Sequence, residues 1–310
     1  MVYVSILMEE KMSGDSSDNR QTFEDRLISG LNSWRYTLTE PLLLRLARLK
    51  HAYKYENFNE KPLISICVPT YNRGSILIER AVASVLAQSY SNFELIIVGD
   101  HCTDDTEELL YKINDPRLKF YNLPSRKRTY RQNIENHWFV GGAIPTNKAM
   151  EIARGKWIAR VDDDDTWTPN HLERLLEFAE QGQYEFVSGL YVAERFGKQK
   201  IIDGTRAKSS YYTQKPEPLN DTSPKIGGVV SWFYRSYLSF MPYNPECWRK
   251  SWNRVWDIDL AQRIYGAGVN MGFLEEVVGF VLPRPGEKTV GLEAYKVNEE
   301  EKLKHYKCVD

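Results

Sequence analysis

The sequence predicts an α/β fold: a mostly parallel, Rossmann-like sheet flanked by helices and preceded by a helical extension. Three observations carry that reading. Apolar, β-rich runs at 63–68, 93–98 and 157–161 alternate with stretches of helical periodicity, the βαβ rhythm of a parallel sheet covered on both faces. Polar residues collect directly after those runs. The last run opens onto four consecutive carboxylates, Asp162, Asp163, Asp164 and Asp165. Two carboxylates ~4 Å apart repel by ~4 kcal/mol at an effective dielectric of ~20, so a folded chain keeps such a cluster only where water or a hard cation meets it.

The elements follow in order. Residues 1–22 are polar and expected to be disordered. From 23 to 55 the pattern is helical, with an interruption expected at Thr39-Glu40-Pro41. Residues 42–49 form a basic amphipathic stretch that reads either as a helix packed on the main domain or as a membrane-surface or docking element. The core begins with the strand at 63–68. A helix at 76–89, a second strand at 93–98 and a helix opened by Thr103-Asp104-Asp105 come next. A short strand at 119–123, a helix at 142–154 and the strand at 157–161 precede a helix that Thr168-Pro169 should start. A fifth strand is expected at 184–196, a polar loop at 203–224 and a strand at 229–235. A helix at 256–265 closed by Gly266, an extended stretch at 271–282 and a charged, solvated tail or helix complete the chain. The domain reading is an N-terminal extension at 1–60, one main domain at 61–286 and a charged tail at 287–310.

Composition narrows the function classes. The 310 residues are 42% hydrophobic and 27% charged with a formal net charge of −1, so no global charge points to nucleic acid. Cys67, Cys102, Cys247 and Cys308 show no metal-ligand or redox spacing and read as reduced thiols. The opening run at 2–8 lacks a basic leader, and no stretch approaches ~20 apolar residues, so no transmembrane segment is expected. A cytoplasmic protein with peripheral membrane contact fits these features, and the N-terminal helices are the expected oligomer interface.

Ligands of open parallel sheets bind outside the carboxyl ends of the strands. Thr70-Tyr71-Asn72-Arg73 follows the first strand, Asp100 the second, and Asp162–Asp165 the fourth, so a shared site is expected there. These stretches, 66–73, 96–106 and 158–165 together with Trp256-Asp257-Ile258-Asp259-Leu260-Ala261-Gln262-Arg263, resemble the GT-A glycosyltransferases of family 2 from about residue 62 to 286. The resemblance implies an inverting, metal-dependent transfer of a sugar from a nucleoside diphosphate donor, UDP by default, to a hydroxyl of a glycan or related acceptor. It implies that Pro69, Thr70, Tyr71 and Arg73 line the nucleotide pocket and that Asp100 accepts from the base. Asp162 and Asp163 would approach the ribose, Asp164 would hold Mn²⁺ or Mg²⁺ against the diphosphate, and Asp257 would take the acceptor's proton. Asp259 is the other candidate base, though it stands four residues before Arg263 and could pair with it.

Other residues carry two readings. Arg126, Lys127, Arg128 and Arg131 could grip a diphosphate or form a solvated face. His101 reads as a polar turn residue. Trp232 and Trp256 are the aromatics expected near the pocket, where sugar rings present apolar faces. Two features depart from the family: Pro145-Thr146-Asn147 stands where an arginine is usual, and Leu282-Pro283-Arg284 stands where a metal-binding histidine is frequent, so Arg284 could neutralise the diphosphate instead. The rival functions are a catalytically silent nucleotide-sugar or glycan-binding module and a sugar-phosphate nucleotidyltransferase. The second would place a glycine-rich phosphate loop where Pro69–Arg73 stands.

Overall fold

The computed structural model describes residues 21–56, 61–126, 130–207 and 222–306. The sequence segment 1–20, Lys127, Arg128 and Cys308 lie outside the described residues, as do the expectations attached to them.

The sheet has nine strands in the order β3-β2-β1-β4-β10-β6-β11-β5, with β7 on the flank of β6. Its first half is the parallel block the sequence led one to expect. β1 (Ile64–Thr70) and β2 (Phe93–Gly99) are buried along their whole length, as β-branched runs covered on both faces should be. β3 (Leu118–Asn122) pairs parallel with β2, and β4 (Trp157–Arg160) parallel with β1. Beyond β4 the sheet is mixed. β10 (Phe233–Arg235) runs antiparallel to both β4 and β6 (Phe186–Arg195), while β11 (Met271–Val281) is parallel to β6. β5 (Asp165–Trp167) and β7 (Lys198–Ile202) add antiparallel edges. The 229–235 stretch thus contributes only its last residues as strand, because Val229–Ser231 turns as a 3₁₀ helix. Within the segment read as one polar loop, β8 (Thr205–Arg206) and β9 (Lys225–Ile226) form a small antiparallel ladder.

The helices fill the faces. α1 (Phe23–His51) is continuous through Pro41, so the expected interruption does not occur. Proline costs a helix one hydrogen bond, but Glu40 just before it is buried against Arg263 and Leu44 just after it is buried in the core. These tertiary anchors on either side outweigh the local preference. α2 is built of Gly74–Leu77, a π-helical turn at Ile78–Val82 and Ala83–Leu86. α3 (Thr106–Tyr111) starts later than expected, with Asp104 accepting from the Thr106 backbone and hydroxyl. α4 (Ile134–Val140), which periodicity did not reveal, precedes α5 (Ala143–Ile152). α6 (His171–Gln181) begins after Asn170 rather than at Thr168-Pro169. α7 (Trp256–Ala267) ends at Gly268, which takes a left-handed φ of 84°, and not at Gly266. α8 (Leu292–Lys296) and α9 (Glu299–His305) occupy the segment read as a charged, solvated tail or helix.

These C-terminal helices are not wholly solvated. The acids at 299–301 do face water, but Tyr306 is buried and stacks on His137 with ring centroids 3.9 Å apart. The aromatic residues fold the segment back over the ends of β1 and β2. Cys67, Cys102 and Cys247 are buried free thiols. No helix among the described residues is long and apolar enough to cross a membrane.

Candidate active site

The strand order β2-β1-β4 sets the polar residues that follow these strands side by side. Their side chains line one cleft of about 220 Å³ that also takes residues from α4, α7 and the C-terminal helices. Pro69, Thr70, Tyr71, Arg73, Asp100, all four carboxylates of 162–165, Trp256 and Arg284 stand in its wall, as the sequence led one to expect. Trp232 does not. It is buried in the core, donates to the Gly227 carbonyl at 2.9 Å and packs edge-on against Phe186.

Each carboxylate has its own neighbour. Asp163 accepts from the Thr70 hydroxyl at 2.8 Å and from Arg73 at 2.9 Å. Asp162 accepts from Arg160 at 2.5 Å, yet burial and the charges of Asp164, Asp163 and Asp257 push its carboxyl up to about 6. Asp164 is approached only loosely: Arg73 stands at 3.7 Å and Arg284 at 3.8 Å, beyond hydrogen-bonding distance. Burial, then the charge of Asp163, raises its carboxyl above the ordinary range. Asp100 is met by Arg126 at 2.7 Å, and burial raises its carboxyl too.

Arg126 is therefore a buried wall of the cleft and not a solvated face. It lies over the Tyr71 ring at 3.7 Å and donates to the Tyr306 carbonyl at 3.1 Å. Arg131 goes elsewhere, pairing with Asp25 of α1 at 2.5 Å. His101 is a turn residue as read, with a φ of 62° and its Nδ1 3.2 Å from the Leu123 carbonyl.

The helix α7 forms the opposite wall. Trp256 packs on Gly142, where an added Cβ would lie 2.7 Å from the indole, so only glycine lets this wall close. Arg160, fully buried, stacks over Trp256 at 4.1 Å. Asp257 is partly buried, its Oδ1 accepting from the Ile258 backbone N–H at 2.7 Å; burial raises its carboxyl while Arg160 opposes the shift. Asp259 points the other way. It is fully buried between Lys250 at 2.5 Å and Arg263 at 3.4 Å, the pairing its spacing had suggested. Asn147, in the stretch that departs from the family, clamps the Tyr243 backbone with two hydrogen bonds of 2.8 Å, and Pro145 lines the cleft.

Several site residues escaped the sequence reading. Arg160 carried a signal, a charge inside an apolar strand. His137, Trp138, Tyr295 and Tyr306 carried none, since nothing local links them to the strand ends. Tyr306 and Tyr295 both accept from Arg73, at 2.7 and 3.1 Å.

Among the described residues no trio of His, Cys, Asp or Glu is close enough to cage a metal. The donor set nonetheless fits Mg²⁺ or Mn²⁺, which bind through one or two carboxylates and complete their shell with water and substrate phosphate. Asp164, held by no guanidinium at hydrogen-bonding distance, has lone pairs for that purpose.

A mixed sheet with a parallel half and a carboxylate-lined cleft at its strand ends is the architecture of the GT-A fold. The chain belongs to Glycosyl transferase family 2, whose profile it matches over residues 65–239. It is 42% identical over 123 residues to WcaA of Escherichia coli (strain K12), a protein named for glycosyl transfer in colanic acid biosynthesis, covering 39% of each chain. It is 33% identical over 133 residues to the Escherichia coli UDP-Glc:alpha-D-GlcNAc-diphosphoundecaprenol beta-1,3-glucosyltransferase WfaP, covering 43% of this chain and 47% of that one. The matched region thus spans less than half the length of these relatives. The fold is shared with the mannosyltransferase PcManGT of Pyrobaculum calidifontis, solved with GDP-Man and Mn²⁺, at a TM-score of 0.51 and 14% identity over 81% of this chain and 69% of that one.

Proposed function

We propose that the protein moves a sugar from a nucleoside diphosphate donor to a hydroxyl of a glycan acceptor, with inversion at the anomeric carbon and with Mn²⁺ or Mg²⁺ bound beside the donor's diphosphate. The observation that carries this reading is the meeting, in one cleft, of the strand-end carboxylates, three arginines and Trp256, whose neighbour Asp257 is close enough for its charge to act on Asp162. Uridine diphosphate is the carrier assigned first, and a diphosphate-lipid-linked glycan the acceptor class, because the printed name of WfaP joins both.

The chemistry follows from the residues. The base enters the pocket bounded by Tyr71 and Asp100, whose carboxylate accepts a ring N–H once Arg126 yields it. Asp162 and Asp163 face the ribose. Asp164 would hold the divalent ion, which supplies Lewis-acid neutralisation of the diphosphate. Arg73 and Arg284, both within 4 Å of Asp164, add fixed positive charge where the leaving oxygen gains its electron pair. The acceptor oxygen attacks the anomeric carbon from the side opposite the diphosphate as the C–O bond to phosphate breaks. Its proton passes to Asp257, whose raised carboxyl is better matched to that task at neutral pH than an ordinary aspartate.

The test is the melting temperature of the protein with UDP, GDP, dTDP and CDP, each with and without Mn²⁺. A ligand at ~100 times its dissociation constant adds ~2.7 kcal/mol, so one nucleotide should raise the melt in a metal-dependent way. Asp164→Asn should abolish the metal-dependent part. A flat response to all four nucleotides would remove the donor reading, and an unchanged metal effect in Asp164→Asn would remove that residue from it.

A further inference from the structure

α1 is built inside out. A helix on a protein body ordinarily turns its apolar stripe inward and its charges to water. Here the inward contacts are mostly ionic: Asp25 with Arg131 and Arg249 at 2.5 and 2.6 Å, Glu40 with Arg263, and Arg48 with Glu185 at 2.6 Å. Leu44 is the one fully buried leucine among them.

The apolar residues face out. Leu27, Leu31, Trp34 and Leu38 are all exposed, Trp34 by 67%. Leu42, Leu46 and Leu49 continue the line, Leu49 being 83% exposed, and Tyr53 in the 3₁₀ turn that follows α1 is exposed beyond them. The steps are threes and fours averaging roughly 3.7 residues, close to the 3.6 of a straight helix, so the line stays on one side over its whole length. Around it stand the exposed cations Arg26, Arg35, Arg45, Lys50 and Lys54. From Arg26 to Tyr55 the sequence holds a single carboxylate, Glu40, and that one is buried against Arg263.

Both features choose the occupant. A second copy packed as a left-handed coiled coil needs a 3.5-residue repeat, and pairing this face with itself would set cations against cations. A surface of anionic lipid headgroups meets the charge and takes the leucines and Trp34, while the long arginine and lysine stems reach the headgroups. We propose that α1 lies in the plane of a bilayer interface carrying anionic lipid, its Leu27–Leu49 line immersed at the headgroup–acyl boundary. The proposal goes beyond the transfer reading and does not depend on it. It adds one consequence: through Glu40 and Arg263, the docked helix braces α7, so the orientation of the helix bearing Asp257 is fixed to the surface.

Co-sedimentation of the full chain with phosphatidylcholine vesicles, with and without about 30 mol% phosphatidylglycerol, tests it. The wild type should bind the anionic vesicles, more weakly as salt rises. The triple variant Leu42→Ser, Leu46→Ser, Leu49→Ser should lose at least about tenfold in partitioning. Arg35→Gln, Arg45→Gln and Lys50→Gln should each lose about fivefold, the equivalent of ~1 kcal/mol per cation. All these side chains are exposed, so melting temperatures should hold, and nucleotide-induced stabilisation should hold with them. Failure of that stabilisation alone would indict the donor reading and leave this one standing. No binding to anionic vesicles, or equal binding by the leucine variant, overturns the proposal. A concentration-dependent dimer that the leucine variant abolishes would overturn it in favour of a second copy.

Discussion

Two sets of carboxylates, one buried around α1 and β2 and one partly buried at the cleft, show how the same group serves structure in one place and chemistry in another. Asp25 takes hydrogen bonds from Thr22, Arg249 and Arg131, which outweigh its burial and bring it down to about 2. Glu94 does the same with Lys119, Ser65 and Arg154, again reaching about 2, and Glu185 is lowered by Arg48, Tyr237 and the Asn270 backbone. In the cleft, and at Asp257 on the helix behind its wall, the balance is reversed. Asp100, Asp162, Asp164 and Asp257 are all raised, because burial exceeds what their partners return. A carboxylate whose partners suffice is a fastener. Several left short together in a cleft can meet a cation, a ring N–H or a proton, whereas Glu40, raised by burial although Arg263 holds it, stands alone and is a fastener all the same.

The largest expected effect sharpens the functional side of this contrast. Asp257→Asn should lose 10²- to 10⁴-fold in transfer, roughly the contribution of a general base, with donor-induced stabilisation intact. Its neighbour Asp259 belongs to the fasteners, so Asp259→Asn should act on the melt and not selectively on turnover; equal transfer by Asp257→Asn and wild type would reverse the assignment. On the structural side, Glu185→Ala should lower the unfolding free energy by about 3 kcal/mol, the low end for a broken buried pair because Arg48 keeps some solvent. Urea titration with an unchanged m-value reads this directly.

Acid should separate the two sets by sign. Asp25 and Glu94 have folded values below their ordinary 3.8 and 4.5, so the stability they contribute is present above those values and is lost as pH falls through about 4 toward 2. The Asp25→Asn, Glu94→Gln double variant should flatten that acid limb in a pH series of melting curves. A limb equally steep in the variant would assign acid sensitivity to other groups. The smallest effect is a gain. Asp164→Asn removes a buried acid that its neighbours leave short, so the ligand-free melt should hold or rise, by at most about 1 kcal/mol, while the metal-dependent response goes. A melt lowered as far as in Glu185→Ala would move Asp164 into the fastening set.

Much of this was written locally. Residues 64–70 and 93–99 read as buried strands because β-branched and apolar runs of that length leave few alternatives, and the polar residues after them had to lie at the sheet's carboxyl edge. Trp232 misled because an aromatic in the right segment says nothing about which side of the chain it takes; β10 turns it into the core. Arg126 stayed open between two readings because a run of basic residues looks solvated until its partner is known, and Asp100 is a partner from another segment. Pro41 misled because a helix break is a local preference, and Glu40 and Leu44 answer to contacts over 200 residues away or to the core.

The chain alone determined the strand runs, the carboxylates behind them and the Asp257 helix, because each is a pattern within a few residues where propensity and burial decide. Only the folded molecule decided which acids are fastened and which are left short. That depends on whether a guanidinium from elsewhere stands at 2.6 Å, as Arg249 does to Asp25, or at 3.7 Å, as Arg73 does to Asp164. It also decided that α1 turns its charges in and its leucines out, since Asp25, Glu40 and Arg48 find their partners on the body. Pairing across such separations is fixed by packing and not by sequence spacing, so no local pattern could record it.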